Sequence, residues 1–340
     1  MGHPAFSFDL DLTELEFLER EFNLTLTSIE PVVEELIESP HVILAACRVH
    51  KLENFFKRCK DDSVILFLFG NETYDVKTYE FLNQYSSKIR LAFVYNMPSF
   101  SSISQYLSTF FGFVYDLGPN VSRYKHFFYR LTKNGIDLMM RTRNITLNFP
   151  ALDFPQGYSK RFVQELKLKD HIIGQESLMK NILSPNALRP NLISFVGQKG
   201  SWYRQFVLEI TRNCIQDFAP RFTDGWGGSN QGLSTMYLDN LSNSRFTLHP
   251  PGNLTNKTHR YLESLLMGTL PILPPATIQD PHRWGVWSEE FNVYSWRKLL
   301  KQMQNMNEET RIKLVDSALN LEIHKLEYLK LRLGEVVPLS

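Results

Sequence analysis

The chain has 340 residues, 43% of them hydrophobic and 21% charged, with 37 Lys and Arg against 36 Asp and Glu. This length favours two domains of roughly 100–200 residues each, and the composition supplies a core for both while excluding a disordered chain. A formal net charge of +1 excludes bulk attraction to nucleic acid or anionic membrane, so any anionic ligand must be held by local chemistry.

The three cysteines, Cys47, Cys59 and Cys214, show neither a disulfide framework nor metal-ligand spacing. Cys47 and Cys214 read as small core residues, and a reducing compartment follows. No apolar run reaches the ~18–20 residues that span a bilayer, and no signal peptide is visible. The expectation is therefore a cytoplasmic or soluble protein with no transmembrane segment in this chain.

In chain order, residues 1–40 read as acidic and mostly helical. Asp9-Leu10-Asp11 has the form of a metal-holding carboxylate pair, but that use needs a preceding hydrophobic strand. Helix N-terminal carboxylates explain it more simply. From His41 onward strands and helices alternate: strands at 41–47, 64–69, 89–95, 113–117 and 145–149, helices at 51–60, 77–85 and 123–138. Residues 150–190, irregular and rich in proline, read as the linker. A second unit follows, with strands at 192–196, 222–226, 245–249 and 270–273 and helices at 202–218 and 234–241. A helix running from the Thr255–Asn256 cap to about Met267 precedes a C′ glycine, Gly268. The end of the chain, 297–333, is strongly helical. Alternation of this kind gives α/β units with parallel sheets covered on both faces.

Two turns in the second half suit one anionic ligand. In the first, Gly197–Arg204, Lys199 and Arg204 flank the start of a helix; the second is Pro251–Arg260. Strand-to-helix turns present free backbone N–H groups to phosphate, and in open parallel sheets ligands bind beyond the strands' carboxyl ends. Lys199, Arg204 and Arg260 together suit a diphosphate, with Glu263 one turn further on placed to accept from a ribose. The alternative is a solvated helix face carrying an Arg–Glu pair. Neither turn has a Rossmann or Walker glycine pattern, which takes most of the support from the dinucleotide and ATP readings. His249 and His259 flank the second turn, as phosphate contacts or as structural histidines. Trp284, Trp287 and Trp296 are available to line a sugar cleft or to pack domains together.

Ser244-Arg245-Phe246, then Pro250 and Gly252, then Arg260-Tyr261-Leu262-Glu263-Ser264-Leu265, Gly268 and Leu270-Pro271-Ile272-Leu273 resemble the C-terminal half of exostosin-type glycosyltransferases. Tyr237-Leu238-Asp239, upstream, extends the match, as does Ser194-Phe195-Val196-Gly197 with Tyr203-Arg204. The resemblance covers roughly residues 190–275. The polar turn 251–258 departs from that family and is similar to a run in α1,3-fucosyltransferase-like enzymes. The resemblance implies a GT-B fold: two Rossmann-like domains with parallel sheets facing across a cleft. Residues 1–180 would bind the acceptor and 181–310 the nucleotide-sugar, with 311–340 crossing back to the first domain.

It also implies the roles. Glu263 would bind the donor ribose, and Arg204 with Arg260 the diphosphate. Asp224 and Trp226 would lie near the nucleobase, while Gly252, Asn253 and Lys257 would form the turn around the donor beside His249. The reaction implied is transfer from a nucleotide-sugar, a UDP-sugar first, to a glycan hydroxyl, inverting and with no metal or other cofactor. Fixed cations and helix dipoles would stabilise the departing diphosphate, and an acceptor base would come from Asp116, Asp153 or Glu72. A GDP-sugar fucosyltransferase-like enzyme and a non-catalytic sugar- or nucleotide-binding protein are the alternatives. For location, family habit and the sequons at Asn23, Asn71, Asn120 and Asn144 favour the Golgi lumen as the counterpart to the cytoplasm.

Overall fold

A computed structural model describes residues 3–8, 15–69, 76–95, 147–155, 157–166, 189–197, 202–222, 232–249, 259–272 and 296–337. Two compact units emerge from the contacts. The first takes its described residues from Met1–Pro98, Met140–Gly174 and Ile323–Ser340; the second takes them from Ser99–Met139 and Gln175–Glu322.

The first unit is α/β with a six-stranded, wholly parallel sheet. Its strands are β1 (His3–Ser7), β2 (Leu24–Ser28), β3 (Val42–Ala46), β4 (Val64–Leu68), β5 (Ile89–Tyr95) and β6 (Ala151–Phe154), in the spatial order β2-β1-β3-β4-β5-β6. Helices α1 (Leu15–Phe22), α2 (Val33–Ile37), α3 (Glu53–Arg58), α4 (Val76–Gln84) and α5 (Lys160–Glu165) connect or follow them. β3 and β4 are buried at every position. This is why they read as continuous apolar runs rather than alternating ones: helices cover both faces of a parallel sheet. One face packs Leu44, Leu66, Ala92 and Val94 against Phe55, Phe56 and Leu82. The other is aromatic, with Phe67 stacked on Phe93 at 4.5 Å and Phe22 and Phe154 edge-on to Phe67.

Two expectations change here. Residues 1–40 carry two strands as well as helices: HPAFS and LTLTS pair in parallel along their whole length. The acidic residues around α1 masked them, because helix-like charge spacing dominates a short window while strand pairing is decided by the sheet. With β1 ending at Ser7, a strand does precede Asp9-Leu10-Asp11, so that ground for setting the motif aside falls; Asp9 and Asp11 lie outside the described residues. Residues 147–150 are not strand. The edge strand is instead Ala151–Phe154, paired with β5 and inside the stretch expected to be linker. Pro155 and Gly157 made it read as a break, but a proline just past the end of an edge strand leaves its ladder intact.

The second unit holds β7 (Asn191–Ser194), β8 (Val196–Gly197), β9 (Arg221–Phe222), β10 (Ser244–Leu248) and β11 (Leu270–Ile272), with helices α6 (Trp202–Cys214), α7 (Gly232–Ser242) and α8 (His259–Leu266). All pairings are parallel: β11 with β10, β10 with β7, and β8 with β9. Since only Phe195 separates β7 from β8, the chain runs from this strand to β9 on one side and then to β10 on the other. The strand order therefore reverses between β7–β8 and β10.

The final helical stretch is two helices, α9 (Trp296–Asn305) and α10 (Glu308–Val336). Met306 and Asn307 separate them, the Asn307 side chain accepting from the Thr310 N–H at 2.8 Å, as an N-cap does. α10 contributes residues up to Glu322 to the second unit and from Ile323 to the first. No helix among the described residues is long and apolar enough to cross a membrane. The three cysteines form no disulfide, and the fully buried one is Cys59, whereas Cys47 and Cys214, expected in the core, are only partly buried.

Candidate functional site

The carboxyl ends of the strands in the second unit bring together four of the residues singled out from sequence. β8 ends at Gly197, and α6 begins a few residues later with Arg204 in its first turn. His249 directly follows β10 and extends the ladder, its N–H donating to Ile272 O at 2.8 Å. α8 opens with His259 and Arg260. This is the point where the strand order reverses, which in open α/β sheets leaves a crevice between diverging connections.

α8 ends where its sequence asks for it, while the expected cap at Thr255 or Asn256 lies outside the described residues. Its end is a Schellman motif: Gly268 has φ 69, Thr269 N–H donates to Ser264 O at 2.9 Å and Gly268 N–H to Leu265 O at 2.9 Å. The helix is not the solvated face of the simpler reading. Every residue from Tyr261 to Leu266 is buried, because neighbouring layers cover it.

Two of those buried residues are polar, and each has a partner. Glu263, wholly buried, accepts from the Tyr237 hydroxyl at 2.7 Å. Burial first, and then the Glu263 charge, push the Tyr237 phenol well above its ordinary range, so it stays a donor. Ser264 donates its hydroxyl hydrogen to Arg260 O at 2.6 Å and lies 3.0 Å from His249 Nε2. With that hydrogen committed, Ser264 Oγ accepts from His249, which places the ring proton on Nε2 and leaves a lone pair on Nδ1. Nδ1 is buried and has no hydrogen-bond partner among the described residues.

The electrostatics are strongly positive. Burial, followed by the charges of Arg260, His259 and Arg204, holds the His249 imidazole well below its ordinary range, so it is neutral in the free protein. Arg204 is buried, its guanidinium 6.0 Å from the Phe195 ring centroid. Arg260 is partly exposed and makes no ion pair or side-chain hydrogen bond among the described residues. It lies so close over Gly197 that a Cβ there would sit 2.5 Å from its Nη1. A side chain there would have to displace the flexible end of the arginine above it.

Of the acceptor-base candidates, Asp153 at the end of β6 is ion-paired with Lys325 at 2.6 Å, both groups largely buried. A carboxylate held this way is a structural partner before it is a base. Asp116 and Glu72 lie outside the described residues, as do Lys199, Asp224, Trp226, Gly252, Asn253 and Lys257. Sequence reading did not identify Ser264 as the partner that sets the His249 tautomer. It also missed Tyr237 as the partner of Glu263 and Gly197 as the seat of Arg260. The i, i+4 spacing of Arg260 and Ser264 was the one local signal available. Compared with known proteins, the chain matches no family model and no curated protein.

Proposed function

We propose that this protein is a nucleotide-sugar-dependent glycosyltransferase of GT-B type, with the donor's diphosphate held at the carboxyl edge of the second unit's sheet. The observation that carries the reading is the gathering of Arg204, Arg260 and His249 around one strand-order reversal, at the first turns of two helices. Backbone N–H groups and guanidinium groups there would oppose the charge that builds as a nucleoside diphosphate departs. Arg260 is the group best placed to meet the ligand, since it is partly exposed and has no competing carboxylate among the described residues. Glu263, fixed by Tyr237, would be the carboxylate nearest the ribose. The acceptor, a glycan hydroxyl, would belong to the first unit, and the base among Asp116, Glu72 and Asp153.

The test is calorimetric titration of UDP and of GDP, without metal, into wild type and Arg260→Ala. Micromolar UDP binding that weakens tenfold or more in the variant (about 1.4 kcal/mol) supports the reading. Preference for GDP moves the assignment to a fucosyltransferase-like donor. Absence of binding by either nucleotide rejects the donor site. Retained transfer in EDTA supports a metal-free reaction, whereas complete loss returns attention to Asp9 and Asp11. Asp153 is already paired with Lys325, which favours a second reading, a non-catalytic nucleotide-binding protein. Binding of UDP-sugar with neither transfer nor hydrolysis would establish it.

A further inference from the structure

We propose that anion binding at this edge draws one proton from solvent onto Nδ1 of His249, so that the imidazolium joins Arg204 and Arg260 as a third cation of the occupied site. The inference rests on reading the edge as an anion site and goes beyond it by assigning the site a proton stoichiometry.

The geometry supplies the reason. His249 has one nitrogen committed and one vacant: Nε2–H is used by Ser264, and Nδ1 is buried with no hydrogen-bond partner among the described residues. A buried nitrogen without a partner is costly unless some state of the protein uses it. Among the described residues, the groups facing the imidazole are Arg204 from α6, His259 and Arg260 from α8, and the Ser264 hydroxyl, with the Ile272 carbonyl of β11 on its backbone side. Glu263, the carboxylate of α8, is occupied by the Tyr237 hydroxyl. In the free protein, therefore, a proton on Nδ1 would meet guanidinium charge. An anion seated on Arg204 and Arg260 reverses the sign of the local field, and Nδ1–H then becomes a donor in a negative environment. Whether the hydrogen is centred on nitrogen or on a ligand oxygen, the complex holds one proton more than the free protein plus the fully ionised ligand.

Linkage makes this reciprocal: if the anion favours the proton, the proton favours the anion by the same factor. In the pH window between the His249 values of the free and occupied site, affinity should therefore fall about tenfold for each unit of rising pH. Above the occupied-site value it should level off.

Two probes separate this inference from the nucleotide reading: UDP at pH 8, where it is fully ionised, and sulfate, which does not titrate in the range used. Observed binding enthalpy plotted against buffer ionisation enthalpy gives the protons taken up. We expect about one in wild type and none in His249→Gln, whose amide nitrogen replaces Nε2 and keeps the bond to Ser264. Imidazole 15N shifts of wild type with and without sulfate report the same event without any variant: Nδ1 should change from bare to protonated. UDP binding at pH 8, with no proton uptake on sulfate binding anywhere from pH 5 to 8, overturns the inference and leaves the nucleotide reading standing. Sulfate binding with uptake, but no UDP binding, does the reverse. Uptake that persists in His249→Gln assigns the proton elsewhere and also overturns the inference, and failure of both anions to bind removes both.

Discussion

The two edges of the second unit's sheet use arginine in opposite ways. At the amino edge, Arg189 donates to Leu241 O at 3.0 Å, Ser244 O at 2.8 Å, Met267 O at 2.7 Å and Thr269 Oγ1 at 2.8 Å. Arg311, 2% exposed, donates to Gly268 O at 2.6 Å and to Glu308. Those guanidinium groups satisfy carbonyls left over where strands begin and helices end, so they act as structural clamps. The clamp is costly to charge: burial, and then the nearby Arg311, bring Arg189 down to about 10. At the carboxyl edge, Arg260 meets no carbonyl or carboxylate among the described residues, and with Arg204 it surrounds an imidazole kept neutral. Residue type is the same at both edges. The difference is the supply of acceptors, which a parallel sheet and its helices distribute unevenly between their ends.

The comparison breaks most clearly at Arg311. Arg311→Ala should lower unfolding free energy by about 3 kcal/mol, since it removes charged hydrogen bonds and strands Gly268 O. Urea denaturation would show this, and anion affinity should not change beyond that loss. Tyr237→Phe should cost about 2 kcal/mol because a buried carboxylate loses a donor; an unchanged midpoint would mean that Glu263 is satisfied elsewhere.

Acid titration addresses His249 directly. Its value in the folded protein lies below the ordinary 6.5, so the unfolded chain takes the proton first. The stability present above that pH is therefore lost as pH falls from 6.5 towards the folded value. The expected slope is about 1.4 kcal/mol per pH unit, and it should be absent from His249→Gln. Gly268→Ala should cost about 1 kcal/mol, because φ there is left-handed. The smallest effect sharpens the contrast best. Arg260→Ala should shift stability by less than about 0.5 kcal/mol, while anion affinity falls; equal losses in both would make Arg260 another clamp.

Local features of this region were legible in the sequence. Gly268 ends α8, an apolar strand follows, and a basic residue sits in the first turn of α6, because capping and turn chemistry act within a few residues. The strand at 89–95 was read with its final bounds, Ile89–Tyr95. β1, β2 and β6 were not legible as strands. HPAFS and ALDF are short and weakly patterned, and their extended conformation is selected by a neighbouring strand rather than by their own propensity.

The side chains at the site divide in the same way. Sequence by itself determined an alternating α/β chain and placed Arg204, His249, Arg260 and Glu263 beside strand-to-helix turns, since periodicity and turn residues are local properties. Only the tertiary structure decided what those side chains meet. His249 finds Ser264 across 15 residues of chain and Glu263 finds Tyr237 across 26. Arg260 comes to rest over Gly197, and Asp153 is taken by Lys325 across 172 residues. Pairings at such separations are fixed by which elements pack together. Packing, by setting His249 against Ser264 and burying it among cations, therefore fixes its tautomer, keeps it neutral and leaves Nδ1 bare.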